Sequence, residues 1–119
     1  MLDRIPNQTL GMIWDPGNEA ALGSNPFPDG YEQVKNRIHH IHLKDPERIA
    51  PGTGFVRIGA GAIDYHGQFA TLTRDYYEGV LSLETHYTVD GDHEPGTRAC
   101  AAAVREIARE SGLLLNGDA

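Results

Sequence analysis

The sequence predicts an α/β protein that is built on a parallel sheet. Three short apolar-rich runs, at residues 9–14, 38–43 and 80–83, have the length and composition of buried strands. Segments with helix caps or helical periodicity separate these runs and follow the last one. Strands that alternate with helical crossovers favour parallel pairing. We therefore expect the order β-α-β-α-β-α.

The first strand is expected over residues 9–14, where the chain is mostly apolar. The segment Asp15–Asn18 contains Asp, Pro, Gly and Asn, which is typical of a turn. Glycine and proline residues then predict a long loop over 19–30. A brief helix should follow over 31–37, with Asp29 as its cap.

The second predicted strand carries an alternating pattern with histidines on both of its faces. Side chains alternate in a strand, so Ile38, His40 and His42 share one face, opposite His39 and its neighbours. Two histidines on one face, close to the end of the strand, indicate a functional site. We expect His42 to be the ligand, with His40 either packed or orienting a ligand.

The second half of the chain alternates loops and helices around one more strand. Prolines and glycines predict an irregular loop over 46–62, after which Asp64 should cap a helix of about ten residues. The third strand spans 80–83. The last helix is predicted over 98–111, capped by Thr97.

Composition limits the classes of function that the chain can have. The 119 residues suit one small domain, residues 1–119. A net charge of −7 with scattered basic residues argues against nucleic acid and anionic membranes as partners. The single cysteine excludes an intrachain disulfide, and no apolar run approaches the roughly 20 residues of a membrane span. We expect a cytoplasmic protein.

Each predicted strand ends at or near a residue that can bind a metal or transfer a proton. These residues are Asp15, His42 and Glu84, separated by 27 and 42 residues. The separations bracket the roughly 31 residues that one unit of an eight-unit (β/α) barrel averages, and parallel strands end at one edge. Two carboxylates and an imidazole suit Mn²⁺, Mg²⁺, Co²⁺ or Zn²⁺. Taken singly, each acid is more often a turn former or a helix cap than a ligand; their occurrence at all three strand ends favours the metal site.

Four motifs occur in an order that resembles a known family. They are Trp-Asp-Pro-Gly-Asn at 14–18, His-Ile-His-Leu-Lys-Asp at 40–45, Gly-Ala-Gly-Ala-Ile-Asp at 59–64 and Leu-Ser-Leu-Glu at 81–84. Over residues 9–110 the chain resembles the C-terminal part of the xylose-isomerase-like TIM-barrel superfamily of sugar isomerases and epimerases. That superfamily also contains endonuclease-IV-like members, which the acidic charge of this chain disfavours.

The resemblance implies a partial (β/α) TIM barrel of about three βα units. It implies metal binding by Asp15, His42 and Glu84, with Glu84 also acting as an acid/base carboxylate on a small sugar or inositol-like substrate. Asn18, Lys44 and Asp45 would line the substrate site. The residues alone leave Lys44 open between neutralising a substrate anion and pairing with Asp45.

Departures from the family pattern favour a site that one chain does not complete. The family's other metal-binding glutamate comes from the strand before the Asp15 strand, and this sequence contains no counterpart. Tyr76 also stands where a glycine usually ends the helix. We expect a homo-oligomer or a missing N-terminal portion to complete the barrel, and an isolated chain could lack the metal. The alternative is a non-catalytic remnant or an assembly module of the same fold.

Overall fold

The computed structural model describes residues 11–116. Their strands and helices follow one another in this order: β1 (Met12–Trp14), α1 (Pro16–Ala21), α2 (Tyr31–Val34), β2 (Ile38–Leu43), β3 (Asp45–Pro46), β4 (Phe55–Val56), α3 (Tyr65–Arg74), β5 (Val80–Leu83) and α4 (His93–Ser111). A π-helical turn (Pro26–Gly30) precedes α2, and a 3₁₀ turn (Lys35–Arg37) follows it. The start of the predicted first strand, residues 9 and 10, lies outside the described range.

The main sheet is parallel, as the sequence predicts. Its order is β1-β2-β5, so β2 is the central strand. His40 pairs with Ile13 on one side and with Val80 on the other, and His42 pairs with Ser82. The short strands β3 and β4 pair antiparallel within the segment that was predicted as an irregular loop.

The two faces of the sheet have different surroundings. On one face Ile41 and Leu43 are buried and belong to the apolar core formed with α3 and α4. On the other face His40 lies between Ile13 and Val80, whose exposed fractions are 57% and 55%. The alternation in β2 therefore separates the core contacts of Ile41 and Leu43 from an open face that carries His40 and His42.

The predicted turn after β1 is the start of a helix. Asp15 is the N-cap of α1, and its Oδ1 accepts a hydrogen bond of 2.9 Å from the backbone N–H of Asn18. Pro16 stands in the first turn, where a backbone N–H has no acceptor within the helix, so the missing N–H of proline costs no hydrogen bond. The prediction of a loop from Asp15 to residue 30 was therefore wrong for Pro16–Ala21.

The cap predictions for the other helices had mixed outcomes. Asp64 caps α3 by accepting a 3.0 Å hydrogen bond from the N–H of Gly67, as predicted. Asp29 does not cap α2; it accepts a hydrogen bond from the Asn25 side chain instead. Helix α4 begins at His93, one turn before the predicted cap, because Pro95 is tolerated in a first turn.

The chain takes a conformation that favours glycine just after the end of α3. Tyr76 has a φ of 55°, in the left-handed region that residues with a Cβ rarely adopt. Gly112 shows the ordinary solution at the end of α4, where it takes a φ of 76°.

Among residues 11–116, no helix combines the length and apolar character needed to cross a membrane.

Candidate metal centre

Three strands bring Asp15, His42 and Glu84 together on the open face of the sheet. One ligand atom from each residue lies within 4.8 Å of the other two. His42 Nδ1 lies 2.7 Å from Glu84 Oε2 and 3.5 Å from Asp15 Oδ2. The residues converge because β1, β2 and β5 are parallel and end at the same edge.

Lys44 lies against the same cluster. It follows His42 by two residues, and its side chain is only 1% exposed. Its Nζ lies 3.0 Å from Asp15 Oδ2 and 2.8 Å from Glu84 Oε1. The sequence left Lys44 open between a substrate anion and Asp45; in the structure its ionic partners are Asp15 and Glu84.

The charges in the cluster stabilise one another. The hydrogen bond from Lys44 lowers the pKa of the Glu84 carboxyl below its ordinary value, although partial burial opposes this effect. Burial alone would lower the pKa of the Lys44 ammonium, but its contacts with Glu84 and Asp15 outweigh burial and raise that pKa. Glu84 and Lys44 are therefore both charged at neutral pH.

The backbone of Lys44 is held by Tyr65, the first residue of α3. The Tyr65 hydroxyl donates to the Lys44 carbonyl oxygen at 2.6 Å and accepts from the Lys44 N–H at 3.3 Å. The Tyr65 ring is buried, and burial raises the pKa of its hydroxyl well above the usual value. Sequence reasoning missed this contact, because nothing in the local pattern links positions 44 and 65.

Gly17 allows α1 to approach the Lys44 side chain. A Cβ at position 17 would overlap Lys44 Cγ and lie 3.1 Å from the Lys44 carbonyl oxygen. The absence of a side chain at Gly17 is therefore a packing requirement of the cluster. The glycine in the Asp-Pro-Gly-Asn motif was visible in the sequence, but its partner was not.

Asp45 lies apart from the cluster and is completely buried. Its Oδ2 accepts hydrogen bonds from the N–H groups of Gly59 and Gly61 at 2.8 and 3.0 Å, and its Oδ1 accepts one from Ile63 at 3.3 Å. Burial raises the pKa of this carboxyl, and the three N–H groups only partly oppose the rise. These contacts anchor the loop before α3, and the predicted contact of Asp45 with substrate stays a prediction.

Asn18 and His40 border the cluster from two sides. Asn18 is exposed in the first turn of α1, and its N–H donates to Asp15. His40 Nε2 lies 2.6 Å from Ser82 Oγ, and its ring meets the His42 ring edge-on at a centroid distance of 5.1 Å. His40 is thus tied to the neighbouring strand and packs against the ring of His42.

The donor set of the cluster fits a divalent metal ion. Asp15 Oδ2 is buried, and the Lys44 ammonium lies 3.0 Å from it. A buried carboxylate oxygen is stabilised by cations, and this one already has an ammonium as a neighbour. Two carboxylates and one imidazole are ligands that Mn²⁺, Zn²⁺ and similar ions accept.

Comparison with known proteins agrees with the parallel fold. A family model described as xylose isomerase-like TIM barrel matches residues 1–108. No curated protein sequence matches the chain.

Three solved structures resemble the chain. An IolI protein with a bound zinc atom is 20% identical, has a TM-score of 0.69, and is matched over 92% of this chain and 41% of its own. A xylose isomerase domain protein from Planctomyces limnophilus is 23% identical, has a TM-score of 0.67, and is matched over 94% and 40%. A D-tagatose 3-epimerase-like protein is 22% identical, has a TM-score of 0.60, and is matched over 91% and 39%.

The chain thus spans about 40% of the length of these structures. At these identities the structural matches establish the fold, which is the α/β partial TIM barrel that the sequence predicts. The family model covers 108 of the 119 residues. The chain belongs to the xylose isomerase-like TIM barrel family.

Proposed function

We propose that this chain is a domain of a divalent-metal-dependent isomerase or epimerase that moves a proton on a small sugar or inositol-like substrate. The observation that carries the proposal is the convergence of ligand atoms from Asp15, His42 and Glu84 within 4.8 Å of one another. Family membership supports the reaction class, and the zinc atom in the IolI protein supports a metal.

The metal would be held by Asp15 Oδ2, His42 Nδ1 and a Glu84 oxygen. When bound, it supplies a Lewis acid that polarises the oxygen atoms of a substrate. Because His42 must offer a free nitrogen lone pair, binding should require its neutral form. The Glu84 oxygen that Lys44 does not contact suits this role, since it already faces His42 at 2.7 Å.

Glu84 is the residue best suited to transfer the proton. Its side chain is 46% exposed, and its lowered pKa keeps it deprotonated at neutral pH, as a general base requires. It would take a proton from a carbon beside a carbonyl and return it. Asn18, exposed beside Asp15, suits a hydrogen bond to a substrate hydroxyl. Lys44 would influence the substrate through the two carboxylates that it contacts.

Metal binding is tested by titrating the chain with Mn²⁺ in a calorimeter. We expect binding by the wild-type chain and a large loss of affinity in His42→Ala, because one of three ligand atoms disappears. His39→Ala is the matched control, since this exposed histidine lies on the same strand but on the other face. Equal Mn²⁺ binding by the wild-type chain and His42→Ala would refute the metal site.

Proton transfer is tested separately by incubating the chain with Mn²⁺ and a panel of ketoses and aldoses in D₂O. NMR should show deuterium entering at the carbon beside the carbonyl, and Glu84→Gln should abolish this exchange. An exchange rate that is the same in Glu84→Gln would exclude Glu84 as the base. A wild-type chain that binds Mn²⁺ but exchanges no substrate would support the non-catalytic alternative.

The open face of the sheet favours a second proposal about assembly. Ile13 and Val80 are more than half exposed on this face. A separate groove of about 650 Å³ lies beside β5, between that strand and α4. Exposed apolar surface along a parallel sheet is an aggregation risk unless protein covers it. We propose that a second copy or further barrel strands cover it. Light scattering that shows a stable monomer would exclude the second copy.

A further inference from the structure

Lys44 is a charged side chain in a buried position, where charged side chains are rare. Its side chain is 1% exposed, and its ammonium contacts one oxygen of Asp15 and one of Glu84. A buried ammonium is stable only where ionic partners compensate for the loss of water. Its ionic partners are the same two carboxylates that would hold a metal ion.

The position of Lys44 does not depend on those carboxylates alone. The Tyr65 hydroxyl bonds both its N–H and its carbonyl oxygen, and α1 packs on its aliphatic stem at Gly17. Strand β2 fixes the residue two positions before it. The ammonium is therefore delivered to the cluster by packing that would remain if either carboxylate were removed.

The charge of Lys44 has two opposite consequences for the cluster. Asp15 and Glu84 offer oxygens within 4.8 Å of each other, and two carboxylates this close repel strongly in a partly buried setting. An ammonium in contact with both removes that repulsion. The same ammonium also lies beside the oxygens that a divalent ion would use, so it must repel that ion.

We propose that Lys44 is the resident cation of this site: a positioning residue that holds Asp15 and Glu84 together before any metal binds and weakens the binding of a divalent ion. The first half concerns the chain alone. The second half rests on the proposed function, because it assumes that a metal binds here. In this arrangement the ligands are assembled in advance, and the bound metal stays exchangeable.

The test compares Lys44→Met with the wild-type chain. Methionine keeps an unbranched stem of similar length and removes the charge. The matched control is Lys35→Met, which removes the same charge from a partly exposed lysine whose ionic contact is Glu32 at 2.9 Å. Mn²⁺ affinity is measured by calorimetry, and the urea midpoint of unfolding is measured with a chelator present.

Lys44→Met should lower the urea midpoint and yet bind Mn²⁺ about tenfold more tightly or better, because a nearby positive charge is gone. Lys35→Met should change Mn²⁺ affinity by less than about twofold, since exposed charges are screened. A purely structural role of Lys44 would lower stability without tightening metal binding. Unchanged or weaker Mn²⁺ binding by folded Lys44→Met would overturn the metal half of the proposal.

A second arm needs no metal. In a double-mutant cycle with Glu84→Gln, the loss caused by Lys44→Met should be smaller once one of the repelling carboxylates is neutral. Additive losses would overturn the proposal. If Lys44→Met does not fold, recovery of folding by the double variant supports the proposal, and failure of both variants to fold overturns it. If the wild-type chain binds no Mn²⁺, the proposed function fails, and this cycle still decides the role of Lys44 in the chain alone.

Discussion

Replacing Asp45 with alanine should destabilise the fold by several kcal/mol. The substitution leaves three N–H groups without their acceptor: those of Gly59 and Gly61, whose hydrogen bonds are partly buried, and that of Ile63, whose hydrogen bond is buried. A hydrogen bond to a charged group contributes about 1.5–3 kcal/mol, and the two bonds at 2.8 and 3.0 Å have good geometry. Burying the carboxylate carries its own cost, as its raised pKa indicates, which offsets part of this sum. We therefore expect a net loss of about 3 kcal/mol.

The matched control is Asp64→Ala. Asp64 is the same residue type, but it is exposed and accepts a single hydrogen bond, from the N–H of Gly67 at 3.0 Å. Removing an N-cap of this kind costs about 1 kcal/mol. Both losses are measured by urea denaturation at pH 7, followed by far-ultraviolet circular dichroism, with the slope of each transition compared to verify two-state behaviour.

The comparison of the two variants decides whether Asp45 anchors the loop. If Asp45→Ala costs no more than Asp64→Ala, the three N–H contacts contribute little and the reasoning is refuted. A large loss of stability with unchanged Mn²⁺ affinity in the folded variant would confine Asp45 to a structural role. A small loss of stability with a strong effect on substrate turnover would instead favour the substrate contact that the sequence predicts.

Two further substitutions test packing, the first away from the site and the second beside it. Tyr31→Phe removes the 2.7 Å hydrogen bond from the Tyr31 hydroxyl to Asp75, whose pKa is lowered first by Arg74 and then by Tyr31. We expect the variant to lose about 1 kcal/mol of stability at pH 7. A lowered carboxyl pKa stabilises the fold above the ordinary value of 3.8, and this stabilisation is lost as the pH falls through the lowered value. The urea midpoints of the variant and the wild type should therefore converge in acid. Gly17→Ala should cost about 1–3 kcal/mol in urea unfolding, because the new Cβ would overlap the Lys44 side chain; a neutral result would show that α1 can shift away from that side chain.

Much of the site follows from local pattern and strand direction. The alternation in β2 identifies the face that carries His40 and His42, because side chains in any strand alternate. The positions of Asp15 and Glu84 at strand ends predict their convergence with His42, since parallel strands end at one edge. Neither inference needs long-range information beyond the pairing of the strands.

Local pattern fails where one motif has two structural meanings. Asp-Pro-Gly-Asn is typical of a turn, yet Asp and Pro are also favoured at the start of a helix, and α1 begins there. Thr97 is a good cap residue, but α4 continues for another turn towards its N-terminus, because Pro95 fits its beginning. In both places a residue that is compatible with a turn or a cap does not by itself locate the boundary of the helix.

The sequence by itself determined the parallel α/β class, the family and the three residues that converge. Only the tertiary structure decided the surroundings of Lys44 and Asp45, which are adjacent in sequence and make entirely different contacts. Lys44 forms ion pairs with Asp15 and Glu84, whereas Asp45 accepts hydrogen bonds from N–H groups that lie 14 to 18 residues further along the chain. The physical reason is that a buried charge is stabilised by whichever partners the folded chain brings to it, and long-range packing selects those partners.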